Sequence, residues 1–541
     1  MKEKYTIVLY IATAVLTVIL TATTFTPIIA RSVRSDPTRV NIYIHKFQSD
    51  YMYYVSGIVR GQHGSFLFKD PFSVPNPPAA PVQLLFPIIG MLSAPFHIWA
   101  PVSYHIARVL LIFFSIWATY VLAVTVLKNK VWGSIATLMS MIVTNPPVFL
   151  YSQKIALSFY AWWDMLNSYE RFDALPHYVA ARGLQCLSIV CYFKFRSTKQ
   201  RRLLIISSLL ATLCVFMAAQ TVLPYLAVVS VGTLWDFVLE FRKAKRLNTS
   251  LRSISPLLII ICPLVAIGVI EVSTQTPIWL ANRKWEVAYF SQDPWTIYHL
   301  YISYIFLMIP AYAGLAIGLR RKELSSSLLA VWCAIPLLVS PILPLLGTGG
   351  ARFDIQMNLV IPFSILAAIA VRYAVRTPTW KTVLLIYFAV VCLYSSISTA
   401  SYAKAQWDFI YTENLSTRMY PPRQYFELVD WVKANVKQDQ VIVSSEEIGS
   451  LLVSQTPVFA YIGEQTHGAN WDIYTGPHQR FYGEQMSNSE ALTWLKNHDV
   501  SYVIEDPLYI WPLRDLSYPF LVKKWHNSQL GIYQVRYDTT R

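Results

Sequence analysis

The sequence predicts an α-helical polytopic membrane protein, about eleven spans plus a re-entrant or juxtamembrane helix, with a C-terminal extracytoplasmic α/β domain. Three observations carry that expectation. Of 541 residues, 55% are hydrophobic and 14% charged, against about 25% charged in a soluble domain. Apolar runs long enough to cross a bilayer recur up to residue 400. Beyond Ser401 the composition turns polar and the hydrophobic periods become mixed.

The first run, Tyr5 to Ala30, is too long for a signal-peptide core and lacks a small-residue cleavage pattern, so it reads as a retained span. Further runs lie near 103–126, 131–149, 178–193, 203–219, 221–240, 256–272, 297–318, 325–346, 357–374 and 382–400. Another, 82–100 (VQLLFPIIGMLSAPFHIWA), contains Pro87, Gly90 and Pro95 and makes a poor straight helix. Charge parity decides its role. With 82–100 left out and the N-terminus cytoplasmic, Lys128/Lys130, KFRSTKQRR (194–202), RKAKR (242–246), RRK (320–322) and Arg372/Arg376/Lys381 all face the cytoplasm. Letting it cross would turn all of them outward. The segment is therefore expected to dip into or lie along the outer leaflet, where irregular backbone needs protein or a water-filled cavity around it. The first outer loop, 30–102, holds six basic residues, but long loops escape the charge rule.

Residues 1–400 thus form a transmembrane domain and 401–541 an extracytoplasmic one. In the latter, 421–436 reads as a helix opened by proline, and QVIVSS (440–445), VFAYIG (458–463) and VSYVIED (500–506) as strands. The helix 487–499 opens with the capping box Ser487-x-x-Glu490. Net charge is +15. In a membrane chain this reports orientation before nucleic acid, and no nucleic-acid partner is expected. The six cysteines all fall in apolar segments and read as small core residues. There is no Walker loop, GxGxxG or HExxH.

Acids are scarce early in the chain: between Glu3 and Asp164 only Asp36, Asp50 and Asp70 occur. Asp50 opens an aromatic helical run in which Asp50, Tyr54 and Gly57 share a face and Gly61 is the expected stop. A carboxylate at the membrane surface suits a general base or a metal ligand; the plainer alternative is a cap for a helix starting at Tyr51. Arg108 (YHIARVLL) and Arg182 (HYVAARGL) lie near the outer ends of spans. A guanidinium there matches phosphate or carboxylate, or else pairs with a nearby acid or snorkels. Arg352, in GTGGARFDIQ, follows glycines that let backbone approach a ligand. The outer loop 150–177 offers Asp164, Glu170, Asp173 and His177 among aromatics. Such a set suits sugar binding, or an interfacial helix with a Trp/Tyr belt.

This layout resembles the GT-C superfamily of integral-membrane glycosyltransferases, in particular the bacterial protein mannosyltransferase and aminoarabinose transferase-like proteins. The likeness rests on the first span, the long outer loop with Asp50 near its start and the proline-rich SVPNPPAAP (73–81). The non-spanning helix, the YHIAR span and the late ARFDIQMNLVIPFSILAA (351–368) add to it. It implies transfer of a sugar from a polyprenyl-phosphate-linked donor to a glycan, lipid or protein acceptor, with inversion, at the outer face of a bacterial plasma (inner) membrane. Asp50 would be the catalytic base or metal ligand that the family carries in its first outer loop. Arg352, Arg108, Arg182, His177, Asp173 and Tyr54 are the substrate-binding candidates. Many relatives carry an Asp-Glu pair where this chain has Asp50-Tyr51, so a divalent metal stays open as a cofactor. The rival readings are a non-catalytic GT-C-like scaffold and a transporter or flippase for lipid-linked substrates. The latter is disfavoured by span midpoints nearly free of charge.

Overall fold

The structure, a computed structural model, describes residues 2–34, 36–45, 48–72, 74, 79–143, 148–149, 155–156, 168–244, 252–275, 280, 284, 304–339, 358–412, 420–463, 471–505 and 516–537. The chain divides into two compact units. The first comprises Met1–Thr26, Arg108–Val269 and Glu286–Asp408; the second comprises Pro27–Ala107, Ile270–Trp285 and Phe409–Arg541.

The first unit is helical. Helix α1 (Lys2–Thr23) stops short of Pro27, which sits in the first turn of a separate helix α2 (Thr26–Val33) of the second unit. The expected first run is thus two helices, because proline removes a donor and restricts the residue before it. Helix α5 (Ala100–Leu127) is 28 residues long, roughly 42 Å at the α-helical rise. In α6 (Lys130–Ile142), Asn129 accepts a hydrogen bond from the Trp132 amide at 3.1 Å, and Val143 turns extended at the C-terminal end. The helix therefore covers only part of the expected 131–149 run; Pro146 and Pro147 lie just beyond.

The short strands β1 (Val148–Phe149) and β2 (Ile155–Ala156) pair, and α7 (Ser168–Phe172) leads into α8 (Pro176–Thr198), with Pro176 in its first turn. There follow α9 (Arg201–Met217), α10 (Leu223–Ala244), α11 (Ile261–Ser273), α12 (Ile305–Arg320), α13 (Leu324–Val339), α14 (Val360–Ala374) and α15 (Pro378–Thr412). Five helices among the described residues are long and apolar enough to cross a membrane, and four apolar helices are shorter. Of the eleven expected spans, 131–149, 297–318, 325–346 and 357–374 lie partly outside the described residues.

The second unit folds the first loop together with the C-terminal segment. Its mixed sheet has the order β4 (Phe459–Ala460), β3 (Val441–Val443), β5 (Val500–Glu505), β7 (Gly531–Val535), β6 (Leu521–His526). Strands β4, β3 and β5 run parallel, while β7 is antiparallel to both β5 and β6. The pleat sorts the core: Val441 and Val443 join Phe459, Phe481 and Leu495 in one apolar cluster. Ile442 joins Leu428, Val432, Leu452 and Ile532 in another. The flanking helices are α16 (Arg423–Asn435), α17 (Glu446–Gln455), α18 (Trp471–Tyr482) and α19 (Asn488–Asn497). The capping box is made, since Ser487 Oγ accepts from the Glu490 amide at 3.2 Å.

The loop docks main chain to main chain on the start of α16 and on β4: Val40 N donates to Pro421 O at 3.0 Å, Arg423 N to Thr38 O at 2.9 Å, and Ala460 N to Pro71 O at 3.0 Å. Helix α3 (Gln48–Gln62) runs through Gly61, correcting the expected stop there; the left-handed residue is Gly64, at φ +88°. Gly61 serves close approach instead. A Cβ on it would lie 2.1 Å from Pro87 O, and one on Gly90 would lie 2.0 Å from Ile58 O. Thus α3 crosses α4 (Leu85–Ser93) backbone against backbone. Before α5 begins at Ala100, only the nine residues of α4 and a three-residue 3-10 turn are helical in the 82–100 segment, and nine residues reach roughly 14 Å.

Candidate functional site

Two sets of polar side chains stand out, one in each unit. In the second unit, α3 begins at Gln48, so Asp50 lies in its first turn rather than at a cap before Tyr51. A carboxylate there is favoured by the unpaired amides and the positive end of the helix dipole. Asp50 is half-buried, and along its face Tyr54 is buried and stacked on Phe86, with ring centroids 4.5 Å apart. Gly57 lies against Phe68 and Phe86, a position with no room for a side chain. The face therefore splits: Asp50 marks its more accessible end, and Tyr54 is packing.

Behind it, Tyr51 donates to Ile42 O at 2.9 Å and stacks on His105. The Tyr104 hydroxyl meets His45 Nδ1 at 2.8 Å, and His105 Nε2 donates to Tyr43 O at 2.7 Å. This buried Tyr–His group fixes the start of α3 and was not expected from the sequence. Its signal was the pair Tyr104-His105 at the head of an apolar span.

The other end of α3 is fixed by charge. Arg60, with its side chain 2% exposed, donates through Nη1 to Asp439 at 2.5 Å and through Nη2 to Val458 O at 2.8 Å, over the Phe459 ring. Lys69 reaches the second Asp439 oxygen at 2.6 Å. Burial works to raise the Asp439 pKa, but the hydrogen bonds from Lys69 and Arg60 outweigh it and hold the carboxyl below its usual range. Burial pulls the Arg60 pKa down, against its bond to Asp439.

In the first unit, Arg108 and Asp173 meet: Arg108 Nη1 to Asp173 Oδ1 is 3.0 Å, with side chains 0% and 8% exposed. The Arg108 guanidinium also lies 4.4 Å over the Phe25 ring, while its Nε and Nη2 are buried with no hydrogen-bond partner. Pairing with an acid is thus realised and leaves two donors over. Arg182 stands apart in an amide chain. Its Nε donates to Asn358 Oδ1 at 3.2 Å, Asn358 Nδ2 to Gln185 Oε1 at 2.7 Å, and Gln185 Nε2 to Thr221 O at 2.6 Å. His177 is buried in the first turn of α8, its ring 4.1 Å from that of Tyr178.

Sequence reasoning did not place Glu170 against the Tyr402 hydroxyl, nor Arg171 against the carbonyls of Met141 and Val143. Asn358 and Gln185, amides inside apolar runs, were the readable signals. Arg352 and Asp164 lie outside the described residues. Among the described residues no group of three or more His, Cys, Asp or Glu could hold a metal ion, so no step is assigned to one.

No family model matches the sequence, and no curated protein matches it. Solved structures do. The chain is similar to the oligosaccharyltransferase of Archaeoglobus fulgidus in complex with Zn and sulfate: TM-score 0.52, 14% identity, covering 91% of this chain and 68% of that one. It is similar to ArnT from Cupriavidus metallidurans bound to undecaprenyl phosphate: TM-score 0.52, 9% identity, 99% and 98% covered. It is also similar to the arabinofuranosyltransferase AftD from Mycobacteria: TM-score 0.52, 13% identity, covering 97% of this chain and 40% of that one. All three are GT-C glycosyltransferases, and what this chain shares with them is the fold.

Proposed function

We propose that the chain is a membrane glycosyltransferase that moves a sugar from a polyprenyl-phosphate-linked donor to an acceptor hydroxyl or amide at the outer face of the membrane. The observation that carries this is the fold, shared over 99% of the chain with a protein bound to undecaprenyl phosphate. The buried Arg108, with two guanidinium donors unspent, supports it. A buried N–H without a partner is costly, and a phosphate oxygen is its natural acceptor.

In this reading the Asp50 carboxylate takes the acceptor's proton as the acceptor attacks the anomeric carbon. The bond from that carbon to the phosphate oxygen breaks, and polyprenyl phosphate leaves carrying both electrons of the bond. Arg108 and Arg352 stabilise the charge gathering on that phosphate. Arg182, His177 and Asp173 complete the binding set, Asp173 chiefly by holding Arg108. The first outer loop and the C-terminal sheet lie on the extracytoplasmic side, and α4 does not cross the membrane.

Asp50→Asn tests the assignment, because it keeps volume and hydrogen bonding while removing the base. In proteoliposomes supplied with polyprenyl-phosphate sugars, the variant should fold and embed normally with transfer reduced at least about 100-fold, the lower end of what a general base contributes. Full activity in the asparagine variant would remove Asp50 from the chemistry.

A further inference from the structure

At one end of the first unit lies a half-open cavity of about 680 Å³, lined by no residue proposed for transfer. Four separate stretches build its wall: the end of α5 (Thr125–Lys128), the end of α8 (Phe193–Ser197), the turn joining α12 to α13 with the start of α13 (Arg321–Leu328), and the end of α14 (Ile369–Tyr373). Six cations line it, Lys128, Lys194, Arg196, Arg321, Lys322 and Arg372, against one acid, Glu323. Its inner wall is apolar, with Val126, Leu127, Leu328 and Ile369 all buried.

A solvated cluster of positive charge would spread its cations apart; here the three lysines are exposed, but the three arginines are held. Arg321 lies 4.0 Å over the Tyr373 ring. Arg372 Nη1 donates to Leu127 O at 3.1 Å. Arg196 pairs with Asp236 through Nη2, while its Nη1 is buried without a hydrogen-bond partner. Side chains fixed in this way have already lost much of the freedom that binding an anion would cost.

We infer that this cavity is a binding site for the phosphate-bearing headgroup of an anionic phospholipid, with the cationic rim on the phosphate and the apolar wall against the glycerol and first acyl carbons. The ligand must be an anion because cations outnumber acids around the cavity. It must be amphiphilic because charge and apolar surface share one hollow at the ends of apolar helices, the level at which headgroups lie. Basic pockets between membrane helices are the usual receptors for such groups. A soluble phosphate offers the same charge but nothing for the apolar wall.

The test uses the full chain in phosphatidylcholine nanodiscs, titrated with short-chain phosphatidylglycerol and, separately, with sn-glycerol 3-phosphate, binding being read by native mass spectrometry. Saturable phosphatidylglycerol binding is expected. The triple variant Lys194→Gln/Arg321→Gln/Arg372→Gln should weaken it by about two orders of magnitude, each cation near a membrane surface being worth roughly a factor of five. Arg201→Gln/Arg202→Gln, exposed and outside the cavity, should change it less than about twofold. Equal losses in the two variants, or no saturation in the wild type, would overturn the site in favour of diffuse attraction. Glycerol phosphate binding as tightly as the lipid would overturn the lipid assignment. If the triple variant does not fold, Arg321→Gln alone, at an exposed side chain, should cost about fivefold, and no change there counts against the site. The readout is binding, so it stands or falls apart from the transfer reaction.

Discussion

Replacing Asp439 should loosen the helix that carries Asp50, even though Asp439 sits in the turn before β3 and touches no proposed substrate group. Arg60 is nearly inaccessible and has two hydrogen-bond acceptors, the Asp439 carboxylate at 2.5 Å and Val458 O at 2.8 Å. Breaking a fully buried ion pair by removing one partner costs about 3–5 kcal/mol. Asp439 is 29% exposed, so its attraction is partly screened, and asparagine keeps an acceptor for Arg60; about 2 kcal/mol is then expected for Asp439→Asn. Asp439→Ala should cost about 1 kcal/mol more, because the residue sits at φ 65°, a conformation asparagine tolerates and alanine does not.

The pH dependence follows. The folded carboxyl titrates below its ordinary value of 3.8, so its contribution is fully present above that value. It is lost as the pH falls through the lower folded value, and the asparagine variant should lack this acid limb. Denaturant titration of the detergent-solubilised chain gives the free energy, and amide exchange over Gln48–Gln62 gives the local effect. Transfer should fall several-fold, far less than for Asp50→Asn. A variant within about 0.5 kcal/mol of wild type, the ordinary range for an inconsequential surface change, with α3 exchange unaltered, would refute the coupling.

Three further outcomes are expected. Arg108→Gln should abolish the thermal stabilisation that added undecaprenyl phosphate gives the wild type, whereas an equal shift in both would make Arg108 a purely structural partner of Asp173. Gly61→Ala should destabilise by about 2 kcal/mol or more, since its Cβ would meet the Pro87 backbone; Gly268→Ala, with nothing within 4 Å, should be neutral or gain up to about 1 kcal/mol in helix propensity, and calorimetry on both separates crowding from propensity. His478 is buried, donates through Nε2 to Ser444 O at 2.8 Å, and has its pKa pushed down to about 4 by burial. Its neutral form therefore favours folding fully above pH 6.5, and up to roughly 3 kcal/mol is lost between 6.5 and about 4; His478→Gln should flatten that part of the stability profile, and an unchanged slope would contradict the burial.

Local patterns were readable where one chemical rule acts alone. Ser487 with Glu490, the strands at 441 and 500, and the extended helices of the apolar runs all follow from capping, alternation and hydropathy. Asp50 was readable as a rare acid at a helix start, but the reason for Gly61 was not. Glycine at a helix end and glycine at a helix crossing look alike in one dimension, and only the position of Pro87 tells them apart. The pairs joining distant residues were equally hidden. Nothing local links Arg60 to Asp439, Arg108 to Asp173 or Glu170 to Tyr402, because each depends on which helices become neighbours.

The cavity of basic residues bears on topology in a way hydropathy cannot. The C-terminal ends of α5, α8 and α14 and the turn joining α12 to α13 line one hollow, so all of them lie at the same end of the helical unit. If that unit crosses a bilayer, the chain must cross an even number of times between Leu127 and Phe193, between Ser197 and Arg321, and between Leu324 and Ile369. The apolar runs within those intervals number two, four and two, which satisfies each condition, although α6 is helical for only 13 residues. Charge sorting and side-chain packing are independent constraints, one acting during insertion and the other in the folded protein. That both bring Lys128, Lys194, Arg321 and Arg372 to a single face bears on the parity of the crossings between them, not on which side of the membrane the face lies. Cysteines placed singly at Lys128, Ser197 and Lys322 should all react with a membrane-impermeant thiol reagent from the same side, and a single position labelled from the opposite side would break the shared-face arrangement.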